Sequence, residues 1–180
     1  QTNNSNPSVW TAFKAYLNSK YYWNADYDAA ELKERFFRGY FREAYQPMID
    51  WFNNMQVWVE TLRRLKDNPY GGSGQSKMLQ KEYWPVNILN GWLDFAGQAI
   101  EAIEPLKTTE PERYQAIYDR ITLERLSPIY LMLELHKNTL SDDETLDLRI
   151  KFKSDALRNN FTRTDEWFVS AEQYWSDWGI

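Results

Sequence analysis

Apolar residues return every three or four positions along most of this chain, and no stretch of β-branched alternation competes with them. That period matches the 3.6-residue turn of an α-helix and excludes a sheet-based fold. Trp10, Phe13, Leu17 and Tyr21, widened by Tyr16, define a first helix opening at Pro7-Ser8 and fading near Tyr22. Asp28 with Glu31 has the spacing of a capping box and starts a second, carrying Leu32, Phe36 and Tyr40. Gly39 is a poor helix former, so a break is expected at 39–43.

The strongest stripe follows: Ala44, Met48, Trp51, Phe52, Met55, Trp58, Val59, Leu62 and Leu65, a helix through Lys66 with Pro47 in its first turn. Residues 67–77, with Gly71-Gly72-Ser73-Gly74, read as a flexible loop. Pro85 opens a fourth helix, with Leu89, Trp92, Ala96, Ile100 and Ile103, that ends by Thr108-Thr109. Pro111 opens a fifth, with Ile117, Ile121, Leu126, Ile129 and Leu133, and Pro128 is expected to kink it. Ser141 and Glu144 form a second capping box before a helix with Leu146, Ile150, Leu157 and Phe161. Thr164 then caps a short last helix with Trp167, Ala171, Trp175 and Trp178, ended by Gly179. The expected fold is all-α: a single domain over residues 1–180, a bundle of six to seven antiparallel helices behind a disordered lead at 1–7. The lead itself, Gln1-Thr2-Asn3-Asn4-Ser5-Asn6-Pro7, reads as the start of a piece cut from a longer protein.

Composition narrows the function. With 26 acidic against 21 basic residues the net charge is -5, a field that repels phosphates and argues against nucleic acid. No apolar run approaches the ~20 residues that span a bilayer. Absence of cysteine removes disulfides, thiolate metal sites and cysteine nucleophiles. His136 is the single histidine, with no nucleophile-elbow motif and no metal-ligand spacing around it; near a helix end, it is expected on the surface. Gly71-Gly72-Ser73-Gly74 lacks the Lys-Ser/Thr pair of a phosphate loop. The acids of Asp26/Asp28, Asp142–Glu144 and Asp165/Glu166 sit where helices begin, so caps and dipole partners account for them more simply than a catalytic pair. No catalytic residue, cofactor or metal is assigned.

Aromatic residues make up 17% of the chain, more than one helical core of this size requires. Trp51, Trp58 and Trp92 fall on core stripes. Trp10, Trp23, Trp84, Trp167, Trp175 and Trp178 crowd helix ends instead, and are the expected members of an exposed patch for a neighbouring domain or a sugar ring.

The segment Ala15-Tyr16-Leu17-Asn18-Ser19-Lys20-Tyr21-Tyr22-Trp23-Asn24-Ala25-Asp26-Tyr27-Asp28 resembles the "Yl-x-x-K-l-l-W-N-P-D-x-D" run of bacterial carbohydrate-active proteins. Arg35-Phe36-Phe37-Arg38-Gly39-Tyr40-Phe41-Arg42-Glu43-Ala44 resembles the "F-x-x-x-Y-Y-G-x-A" segment that follows it. Together, over residues 10–65, they resemble the C-terminal helical region of the domain-of-unknown-function family numbered 4838, glycoside-hydrolase-like proteins, with helical C-terminal domains of α-glucuronidases and hexosaminidases as distant analogues. Ala25 stands where the family has proline, and Arg42 where it has glycine, so either Gly39 makes the helix break or the two helices run on with a kink. The resemblance implies a non-catalytic domain that packs on, or shapes the cleft of, a catalytic barrel in the same parent chain, and secretion or surface display. Family catalytic residues would lie in that barrel, so none is carried over. Two alternatives stand beside it: a carbohydrate-binding module using exposed Trp and Tyr, and a self-associating domain that forms a homodimer.

Overall fold

The computed structural model describes residues 9–65, 79–162 and 170–180. It is all-α, with no strand element among those residues. The helices are α1 (Thr11–Trp23), α2 (Ala29–Phe41), α3 (Tyr45–Arg63), α4 (Val86–Ile103), the single turn α5 (Leu106–Thr109), α6 (Pro111–Leu135), α7 (Asp142–Arg158) and α8 (Ala171–Trp178). The expected lead at 1–7, the Ser8 cap, the loop at 67–77 and the Thr164 cap lie outside the described residues.

Several helix ends form as their sequences dictate. The Asp28 side chain accepts from the Glu31 N–H at 2.8 Å and starts α2. Ser141 and Glu144 complete a full capping box on α7. Pro111 occupies the first turn of α6, where no N–H is missed. Ser170 caps α8, which stops at left-handed Gly179 (φ +69°). There the Ile180 N–H returns to the Trp175 carbonyl, the closing bond of a Schellman motif. Asn160 (φ +52°) closes α7 in the same way, through the Phe161 N–H bond to the Ala156 carbonyl.

α6 is the spine, in contact with α2, α4, α5 and α7. Ile117, Ile121, Leu131 and Met132 join the larger core, built with α1 to α4. Leu126, Ile129 and Leu133 join a second core with Phe152, Ala156, Ala171 and Trp175. A helix that feeds two cores is apolar over most of its circumference, and its backbone stays helical through the buried Pro128.

The break between α2 and α3 falls within the expected 39–43, but at Arg42 (φ +54°, ψ -117°), followed by a 3-10 turn over Arg42–Ala44; Gly39, the residue expected to make it, stays inside α2. Arg42 thus sits in a backbone region that favours glycine. The strong stripe ends sooner than Lys66: α3 stops at Arg63 and Leu65 is exposed. On α7 most of the expected apolar face points outward, with Leu146, Ile150 and Leu157 exposed by 47%, 53% and 60%, while Phe161, just past the helix end, packs half-buried on Phe152. The buried face holds Phe152, Asp155 and Ala156. Arg125 of α6 grips Asp155 through two hydrogen bonds of 2.8 and 2.9 Å, which allows a charged residue to turn inward there.

Candidate functional site

Of the aromatics singled out at helix ends, three belong to the interior. Trp10 is 1% exposed. Phe37, Phe41, Trp51 and Phe52 surround it, with ring centroids 5.4–6.1 Å away. Its indole N–H reaches the Met55 sulfur at 3.2 Å. Trp84 is buried edge-on against Trp92 at 6.0 Å. Trp175 is buried against Phe152, and the half-buried Trp178 packs on both under Arg149. Trp167 lies outside the described residues. The patch expected from these six positions therefore keeps one open ring among the described residues, that of Trp23. The reason is length: a ring at the first or last turn of a helix reaches the neighbouring helix as easily as one from its middle.

Trp23 is 86% exposed and its neighbour Tyr22 91%. They end α1, and the connection to α2 adds the exposed Tyr27. Local bonds shape this tip. The Asn24 N–H returns to the Lys20 carbonyl, the Asn24 Oδ1 accepts from the Asp26 N–H at 3.0 Å, and Asp28 caps α2. The turn is thus held by its own polar groups, and the rings stand open to solvent. Aromatic faces beside amide and carboxylate groups suit a partner that is apolar on one side and polar on the other.

The surface position expected for His136 is corrected: it is 2% exposed at the C-terminus of α6, and its Nε2 lies 2.7 Å from the Trp84 carbonyl. Nε2–H therefore donates there, tying the end of α6 to the segment before α4. Sequence reasoning also missed Glu124. It is buried on α6, and its Oε2 accepts the Trp10 N–H at 2.7 Å. Burial pushes this carboxyl up to about 8, against the pull of the Trp10 N–H and of Lys14. Trp10 precedes α1 in a left-handed conformation (φ +57°), so Glu124 fastens the start of α1 to the spine. A carboxyl at heptad-like spacing in an amphipathic helix reads as solvent-facing, and nothing in its neighbours signals burial.

Clefts on the described surface include two with different linings. One of about 680 Å³ runs along α3 between Phe52 and Arg64, with Glu60 its single acid. The other, of about 370 Å³, is lined by Arg42, Arg113, Ala116, Ile117 and Arg120. Among the described residues no three His, Asp or Glu side chains group as a metal site would need. No described helix is long and apolar enough to cross a membrane. No family model, curated protein or solved structure matches the chain.

Proposed function

We propose that this chain is a non-catalytic helical domain of a glycoside-hydrolase-like protein, packing on a catalytic barrel of the same parent chain. The observation that carries it is the tip: Tyr22, Trp23 and Tyr27 stand open to solvent within the run that resembles the carbohydrate-active family. Large exposed rings next to each other are an unfilled interface, since each Trp or Tyr can cover about 150–250 Å² of a partner. The chain alone turns over no member of a broad aryl-glycoside and oligosaccharide panel; turnover by it sinks the reading. In the parent protein, Trp23→Ser with Tyr22→Ser separates the melting of this domain from that of the barrel, whereas an unchanged single transition counts against docking through the tip.

A second reading, a sugar-stacking surface, is favoured by the polar groups of Asn24 and Asp26 beside Trp23. Tryptophan fluorescence that responds saturably to a glycan in the chain, and no longer in Trp23→Ala, selects that reading.

A further inference from the structure

The α2–α3 turn and one face of α6 bring three arginines, Arg42, Arg113 and Arg120, to the lining of one cleft of about 370 Å³. Arg113 and Arg120 are seven residues apart, two helical turns, and so share a face of α6. Ala116 and Ile117 between them form a low floor. Both arginines are held in place: Arg113 by Glu43 and by Glu110 at 3.1 Å, Arg120 by the Tyr40 carbonyl and the Tyr40 ring 4.5 Å away. Arg42 is different. It is exposed, and its guanidinium has no partner among the described residues.

Its backbone is also the least expected for an arginine: at φ +54° a glycine is the unstrained choice. Such a position costs free energy that the surrounding fold must offset, so an arginine kept there is a place to look for a role beyond folding. Charge narrows what that is. Three arginines against the carboxylates of Glu43 and Glu110 leave a surplus of one positive charge at the cleft. A planar monoanion that accepts two parallel N–H bonds fits both the surplus and the guanidinium fork.

We propose that this cleft is a binding site for a single carboxylate on a small molecule, gripped between Arg42 and Arg120 with Arg113 as the fixed wall. The acid is either a sugar acid or a simple organic acid, which share this chemistry. The assignment does not depend on the chain being a domain of a glycosidase-like protein.

The test uses the whole chain, labelled to observe arginine Nε–H signals, titrated at constant ionic strength with glucuronate, acetate and inorganic phosphate. Saturable shifts of the Arg42 and Arg120 signals with a carboxylate are expected, with a Kd on the order of 1 mM. Stronger binding of glucuronate than of acetate assigns a sugar acid, and the reverse a simple acid. Arg42→Gly is the decisive variant: it is expected to melt at a higher temperature than the parent sequence and to bind the carboxylate at least about fivefold more weakly. Arg120→Lys keeps the charge but loses the fork, and is expected to bind more weakly as well. No saturable shift with either carboxylate up to about 50 mM, tighter binding of phosphate, or unchanged binding by Arg42→Gly overturns the proposal.

Discussion

Replacing Glu124 by glutamine should abolish most of the pH dependence of this fold between about pH 5 and 9. The buried carboxyl has a folded-state value of about 8 against an ordinary 4.5. The folded chain therefore keeps a proton that the unfolded chain releases. This contribution is full below about 4.5 and is lost as pH rises through about 8. At about 1.4 kcal/mol per pH unit, the loss between about pH 5 and 9 amounts to about 4 kcal/mol, an upper bound because local opening that admits water lowers it. That is a large share of the roughly 5–15 kcal/mol by which domains are usually stable. The substituted amide would present a carbonyl oxygen to the Trp10 N–H and carry no charge at any pH. Among the groups that act on this site, Lys14 favours the ionised form, and Tyr40 has its own pKa raised by burial, so it stays neutral over the range. Urea unfolding of the two proteins at about pH 5, 7 and 9, followed by helical circular dichroism, gives the difference directly. Near pH 5 the two should lie within about 1 kcal/mol, and at about pH 9 Glu124→Gln should be the more stable by several. A difference that stays constant across the range refutes the burial argument.

Two further outcomes follow from the same packing. Trp10→Ala should cost about 3–5 kcal/mol, because it empties the centre of an aromatic cage, while Trp23→Ala should stay within about 0.5 kcal/mol; urea midpoints measure both. Asp155→Ala should cost about 3 kcal/mol by leaving the half-buried Arg125 without its partner, whereas the double change Arg125→Met with Asp155→Leu should cost much less, as read from melting temperatures in a double-mutant cycle.

How far the fold can be read from the chain differs element by element. The first half of the α3 stripe and much of the α4 stripe become core, since Met48, Trp51, Leu89, Trp92 and Ile103 are all buried, while Met55, Trp58 and Val59 further along α3 are half-buried. In α7 the pattern misleads, because its interior face contains Asp155, and a charged residue turns inward only when a distant Arg125 meets it. The candidate sites divide in the same way. Trp23 is open as expected, while Trp10 is enclosed by rings of α2 and α3, and Trp84 and Trp175 are buried against Trp92 and Phe152. The arginine cleft is invisible in the chain, where Arg42 and Arg113 stand 71 residues apart.

The helical class is written in the sequence, because periodicity, caps and prolines act over a few residues. Firm helix ends are written there too: the box at Ser141 and Glu144 needs only four neighbours to form. Which face of each helix lies inside is set instead by tertiary packing. Burial depends on what arrives from elsewhere: a guanidinium for Asp155, a backbone N–H for Glu124, a ring of aromatic groups for Trp10. The partners of Asp155 and Glu124 lie 30 and 114 residues away, beyond the reach of any helical period.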